Sequence, residues 1–435
     1  MNNSAVRALA SEAWLPAEAL VRAVRAGELG RQDMVKAHLE RIRRLDARVH
    51  AFVHVDEKAR AAGGPLSGAT LAVKDSQPVA GMPWTWGSRR YQDRVAERDA
   101  VPVARARAAG AAVLGKVNTP ELAASVGTAN QLFPATENPW RPGYSPGGSS
   151  GGSGAAVAAG LATVAFGDDF GGSVRIPASC CGVVGLRPSP GRVPQERPDP
   201  AHLNSRGPLT RTVGDARLLL EVMAGEPAPH LRRRPLMIAV ALDSPLGVDP
   251  DCRAAGERAA AALEGVGHSL REVPWDPQPV AEAYRIVRRA SLSVEPGDPS
   301  EYGPAVAGLI TEGRRLTAAE YYAAHARATA AAWRLNDLLG SGCDAILTPT
   351  LGLLPMPIPE VPTFLGEGWD RYTQFVLPVS FSGLPAISVP AGTAGGLPVG
   401  VQLVGRHRHE WRLLQLAEEL ERLDGFGFQP PPGFD

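Results

Sequence analysis

The hydrophobic pattern changes period three times along the chain. Over the first 50 residues apolar positions return every three or four places in LPAEALVRAVRAGELG (15–30) and RQDMVKAHLERIRRLDA (31–47). This predicts two amphipathic helices, the first opening near Pro16 and ending near Gly27 or Gly30. From residue 69 short apolar runs take over: ATLAVKD (69–75), AAVLGKV (111–117), TVAFG (163–167), LMIAVAL (236–242), DAILTP (344–349), PAISVPAG (385–392) and VGVQLVG (399–405). These read as strands, and because they alternate with helical stretches they predict an α/β layer architecture with a mostly parallel or mixed sheet. Between about 225 and 340 the pattern turns more helical, as in TAAEYYAAHARATAAAWRLNDLLG (317–340), which fits either a cap forming a substrate-pocket wall or a plain helical layer. The segment LGLLPMPIPEVPTFLGEGW (351–369) is Pro-rich yet dense in apolar residues, so it reads as a packed loop rather than a linker. No internal repeat is seen.

One stretch resists the simple reading of its composition. GGSSGGSG (147–154) looks like a flexible linker, but it runs straight into GAAVAAGLATVAF, which has no polar face and therefore belongs in the interior. Residues 147–151 also fit the G-x-S-x-G nucleophile elbow, an esterase reading in which Ser149 would attack with His407 or His409 as base. An elbow needs a strand immediately before it, and ENPWRPGYSP (137–146) is too broken by proline to be one. No G-x-G-x-x-G follows a predicted strand, so the dinucleotide fingerprint is absent.

A different arrangement uses both hydroxyls of the region, Ser149 and Ser173, with an amine as base. Only four of the 45 lysine and arginine side chains are lysines, Lys36, Lys58, Lys74 and Lys116; a retained lysine hints at a removable proton, since guanidinium does not deprotonate in proteins. Lys74 stands at the end of the apolar run Leu71-Ala72-Val73, where burial would lower its pKa and free it to accept a proton. A serine hydroxyl is a weak nucleophile until an adjacent base activates it, and Ser–Lys is one recurring solution. The successive N–H groups of Phe170, Gly171, Gly172 and Ser173, on a turn loosened by two glycines, are candidates for an oxyanion hole.

The runs PGGSSGGS (146–153), GGSVRIPAS (171–179), CGVVGLRPS (181–189), AVKD (72–75), GMPWTWGS (81–88) and GLPVGVQLVGRH (396–407) together resemble the amidase signature family, in the expected order over nearly the whole chain. The resemblance implies a single three-layer α/β/α sandwich with a central mixed, twisted sheet, spanning residues 1–435. Within it lie N-terminal helices (1–65), a catalytic core (66–220), the helical cap-like insertion (225–340) and a C-terminal part of the core (341–435). It further implies a cofactor-free, metal-free hydrolase of linear amides with Ser173 as nucleophile, Ser149 as relay on a cis peptide, and Lys74 as base. Ser150, Asp169 and Arg175 would support these three, Asp169 and Arg175 as an internal ion pair.

The chain departs from the family pattern in two places. Asp168-Asp169-Phe170 stands before GGS, where the family commonly has a hydroxyl residue, Asp, and then Thr or Ile; Asp168 therefore changes the local hydrogen-bond network. Trp84 and Trp86 lie in the segment after Lys74 and either line an aromatic acceptor pocket, which Ile176 would make apolar, or pack in the core. Glutamyl-tRNA amidotransferase glutaminase subunits, the main alternative, usually carry Gln where this chain has Ile176. The expected substrates are accordingly small apolar or aromatic amides, anilides or carbamates, the last meaning urethanase activity.

Composition adds exclusions. The formal net charge is zero at a pI of about 7.1, which gives no electrostatic footprint for nucleic acid or an anionic membrane. Cys180, Cys181, Cys252 and Cys343 form neither a disulfide framework nor a C-x-x-C metal pair. The opening MNNSAVRALASEAW has no basic run followed by an apolar one, and nowhere do about 18 apolar residues run together; neither signal peptide nor membrane span is expected, and cytoplasmic is the default. A homodimer is a possible assembly that no motif specifies.

Overall fold

The computed structural model describes residues 13–434 apart from 197, 198, 200, 363, 365 and 366. Among them one open, mixed sheet of 11 strands runs through the molecule. The strands are β1 (Phe52–Val55), β2 (Thr70–Lys74), β3 (Ala112–Val117), β4 (Val164–Asp169), β5 (Val184–Arg187), β6 (Ser205–Thr210), β7 (Met237–Val240), β8 (Ser269–Glu272), β9 (Ala345–Pro349), β10 (Ala386–Ala394) and β11 (Leu397–Gly405). Their spatial order is β1-β3-β2-β4-β6-β5-β10-β11-β9-β7-β8. The trio β3-β2-β4 is parallel, as is β9-β7-β8, while the strands between these two blocks pair antiparallel.

Side-chain alternation splits each strand between two faces. Leu71, Val73, Val113, Val164 and Phe166 enter one apolar cluster, together with residues of the helices Val101–Ala108, Val213–Ala224, Pro250–Gly265 and Glu410–Glu421. Their neighbours Ala72, Ala112, Leu114 and Ala165 enter another, with the helices Arg31–Leu45, Gly151–Ala158 and Arg175–Cys181. Helices on both faces of one sheet make the three layers that the sequence implied.

The stretch 225–340 is not one helical insertion. Strands β7 and β8 extend the central sheet and the helix Pro250–Gly265 packs on its face. Only the helices Gln278–Ser293, Pro304–Gly313 and Ala318–Gly340 form a separate group, packed on one another and on Leu377–Phe381 around a third apolar cluster. That cluster includes Ile176 and Tyr284, with Trp86 and Phe170 packed at its margin, which brings this helical layer over the Gly/Ser-rich loops.

Candidate active site

Ligand sites in open α/β sheets gather beyond the carboxyl ends of parallel strands, and the residues singled out above meet there. Lys74 is the last residue of β2, and Asp168 and Asp169 close the parallel strand β4 beside it. Ser149 and Ser150 immediately precede the helix Gly151–Ala158, and Ser173 comes two residues before Arg175–Cys181. Every residue of Gly151–Ala158 is buried, so the GGSSGGSG run is interior structure. Its glycines allow close approach: a Cβ on Gly152 would lie 2.4 Å from Asn118 N, and one on Gly148 2.3 Å from Gly127 O.

At the centre Lys74 Nζ donates to Ser149 Oγ at 2.7 Å, with both side chains fully buried. The Gly148–Ser149 peptide is cis. Ser150 N–H donates to the Ser173 carbonyl at 3.1 Å, joining the two serine loops, and Ser150 Oγ donates to Asp168 O at 3.4 Å. Ser173 and Phe170 are half-buried, at the margin of the buried core. Burial pushes the Lys74 amine down to about 8, against the pull of Asp168 and Asp169, which favour its charged form, and with a push in the same direction from Arg288.

Asp168 takes the hydroxyl's place without leaving a gap in the network. It accepts hydrogen bonds from Ser76 Oγ and, at 3.0 Å, from Gln77 Nε2, and it faces Arg206 at 3.5 Å and Lys74 Nζ at 4.0 Å. Asp169 pairs with Arg175 through two contacts of 2.9 Å. Burial alone would raise the Asp169 carboxyl, but Arg175 and Arg187 hold it well below the ordinary range. Arg175 continues to Gln402 at 2.7 Å and Ser380 Oγ at 2.9 Å, tying the Phe170–Ser173 turn to β11. Arg187 faces Asp169 at 3.2 Å and was not singled out from sequence, although it lies in the quoted GLRPS run.

The N–H groups of the Phe170–Ser173 turn divide. Gly172 N–H donates to Asp169 Oδ1 at 2.8 Å, so it braces the turn rather than facing the cleft, which corrects its place in the expected oxyanion hole. The N–H groups of Phe170, Gly171 and Ser173 have no such partner among the described residues. The tryptophans also divide. Trp86 and Ile176 join the third apolar cluster, whereas Trp84 lies apart from it, its indole N–H on Ser76 O at 2.9 Å and its ring 4.0 Å beneath the Arg94 guanidinium. Trp84 braces the loop after Lys74 and lies outside the apolar cluster, which corrects its place in the expected pocket.

Lys116, the other buried lysine, is ion-paired with Asp75 at 3.1 Å and donates to Pro83 O, which makes it structural. The elbow reading loses its parts: residues 145–149 form no strand, Ser149 is bonded to Lys74, and His407 is exposed on Gly383 O. A cavity of about 430 Å³ is lined by Ser125, Gly127, Thr128, Leu309, Val361 and Phe364, among others. None of Lys74, Ser149 and Ser173 lines it; it adjoins the Gly127 backbone against which Gly148 packs. No group of three His, Cys, Asp or Glu side chains among the described residues could hold a metal ion.

The fold and this buried amine–hydroxyl pair match a known class of hydrolase. Residues 33–414 match the Amidase family, and the chain belongs to it. It is an amidase, acting on carbon–nitrogen bonds other than peptide bonds. An acylamidase of Rhodococcus erythropolis is 33% identical, the match covering 96% of this chain and 97% of the relative. One component of the glutamyl-tRNA(Gln) amidotransferase of Thermus thermophilus is 35% identical over 92% of this chain and 95% of its own. The structure of a 6-aminohexanoate cyclic dimer hydrolase complexed with substrate superposes with a TM-score of 0.83 at 30% identity, covering 94% of this chain and 97% of that one.

Proposed function

We propose that this amidase cleaves small apolar or aromatic amides, anilides or carbamates through an acyl-enzyme on Ser173. The observation that carries the reading is the 2.7 Å contact between Lys74 Nζ and Ser149 Oγ inside a fully buried setting that favours the neutral amine. Ser173 Oγ attacks the substrate carbonyl carbon as its proton passes to Ser149 Oγ, while the Ser149 proton passes to Lys74. The N–H groups of Gly171 and Ser173, with that of Phe170, receive the carbonyl oxygen as it gains charge. The tetrahedral intermediate collapses with loss of the C–N bond. The proton held by Lys74 returns through Ser149 to the departing nitrogen, which leaves poorly unless protonated. Water then enters the same position, loses a proton along the same path, and releases the acyl group as a carboxylic acid, or, from a carbamate, as a carbonic acid monoester.

The apolar setting of Ile176, with Trp86 and Phe170 beside it, supports acyl or leaving groups that carry little polarity. Ser173→Ala is expected to abolish turnover of an aryl amide while circular dichroism and the melting temperature stay as in the wild type. Retained turnover in that variant would remove Ser173 from the chemistry. The amidotransferase relative, 35% identical, keeps a second reading in play, glutamine hydrolysis within a larger assembly. Assaying glutamine alone and with candidate partner proteins against an aryl amide separates the two.

A further inference from the structure

On the helix Gln278–Ser293, Tyr284 and Arg288 stand four residues apart, so both side chains leave the same face. That face meets the Phe170–Gly171 corner of the active site. A Cβ placed on Gly171 would lie 2.8 Å from Tyr284 Oη, and the Phe170 and Tyr284 rings are 6.2 Å apart. The Arg288 guanidinium sits 5.6 Å from the Phe170 ring centre, and its charge reaches the Lys74 amine.

What Arg288 lacks is a counter-ion. Its Nη2 donates to Leu122 O at 2.6 Å and its Nη1 to Ser291 Oγ at 3.1 Å, both neutral acceptors. No carboxylate among the described residues hydrogen-bonds to it or lies within ion-pair distance, while Glu295 and Asp199 act on it only from farther off. A guanidinium has five N–H donors in a planar fork that matches a carboxylate, so donors remain. The residue is half-buried, yet the protein packs around it closely enough that desolvation lowers its pKa. Tyr284 Oη likewise makes no hydrogen bond to the described residues, although its side chain is 6% exposed. The anchor is also placed firmly. Leu122, whose carbonyl holds Arg288, has φ 47° and donates its own N–H to the carbonyl of Trp86, itself at φ 54°. A charge kept largely dry, unpaired and fixed beside a reaction centre has its cost offset when a ligand supplies the missing anion.

We propose that Arg288, assisted by Tyr284, is a specificity residue that binds a carboxylate carried by the amide substrate at a distance from the scissile bond. The preferred substrates are then amides whose organic part is apolar but ends in an acid group. This deepens the reading of Ser173 as the acylated residue and rests on it.

The test compares the mono-anilides of malonic, succinic and glutaric acid with alkanoic anilides of the same chain length, in the wild type, Arg288→Gln and Arg288→Lys. The wild type is expected to prefer at least one acid-bearing anilide by about tenfold or more in kcat/KM, chiefly through a lower KM. Arg288→Gln brings that ratio close to one, and Arg288→Lys, which keeps the charge but not the fork, falls between. No preference in the wild type at any chain length overturns the assignment, as does an equal loss on charged and neutral anilides in Arg288→Gln, which marks a structural role through Leu122. Fluorophosphonate labelling of wild-type Ser173, run in parallel, separates the failures. Labelling without a carboxylate preference sinks this inference alone, whereas absence of labelling removes the acyl-enzyme reading and this inference with it.

Discussion

At the scale of single residues the proposed chemistry depends on how a buried amine comes to shed its proton within reach of physiological pH. Lys74 is fully buried at the end of β2, and desolvation lowers its pKa to about 8 while Asp168 and Asp169 hold it from falling further. If the neutral amine is the working form, as proposed, kcat/KM rises with pH as Lys74 loses its proton, with its midpoint near that value. Lys74→Ala and Lys74→Arg should each lose about 10²–10⁴-fold in kcat, since arginine keeps the charge but accepts no proton; full activity in Lys74→Arg would sink the base assignment. Asp168 supplies a second check. Its carboxylate lies 4.0 Å from Lys74 Nζ and favours the ammonium, so Asp168→Asn should shift the rise in a pH–rate profile to lower pH. An unmoved or upward-shifted profile would mean that the carboxylate does not tune the amine.

At the scale of elements, the turn that carries Ser173 is held by a buried charge cluster rather than by apolar packing. Asp169 binds Arg175 and Arg187, and Arg175 reaches across to Ser380 and Gln402. Asp169→Asn would leave two buried guanidinium groups without their counter-ion and should cost about 3–5 kcal/mol in urea unfolding at neutral pH. The Asp169 pKa is depressed in the folded state. Its stabilisation is therefore complete above the unfolded value of about 3.9 and is lost as pH falls through the folded one, so the gap between variant and wild type should narrow in that acid window. Gly152→Ala tests the adjoining helix start: its new Cβ would press on the Asn118 backbone at 2.4 Å, which cannot yield as a side chain can, and about 1–3 kcal/mol of destabilisation is expected. Seven of the strands were legible as apolar runs, from β2 to β11. Strands β1, β5, β6 and β8 were not, for reasons visible in their residues. Arg187 and Arg206 are polar strand members whose charges are paired inside, Pro208 interrupts the propensity of β6 while pairing with Phe166, and β8 is a largely exposed edge. Ser149 and Ser173 stood out in the sequence by their glycine-rich surroundings and Lys74 by the apolar run before it, all of them local signals. Tyr284 and Arg288 did not, because only the tertiary packing of an unremarkable amphipathic helix brings them to Phe170.

At the scale of the whole molecule, a mixed sheet covered on both faces fixes the serine loops, and a separate helical layer closes over them. Selectivity should therefore reside in that layer and in the margin of its apolar cluster. An anilide or aryl carbamate is expected to exceed glutamine in kcat/KM by at least about a hundredfold, or roughly 3 kcal/mol of differential transition-state binding. Trp86→Ala should erode that ratio, whereas Trp84→Ala, remote from the cluster, should change it little. A preference for glutamine, or activity only with a partner protein, would favour the amidotransferase reading. No helix among the described residues is long and apolar enough to cross a membrane.

The central claim is that Ser173, not Ser149, carries the acyl group. Treating the wild-type chain with a fluorophosphonate and locating the adduct by peptide mass mapping tests it most directly. One adduct is expected, on Ser173, formed slowly or not at all in Lys74→Ala; an adduct on Ser149, or labelling of Ser173 undiminished in Lys74→Ala, would rule this assignment out.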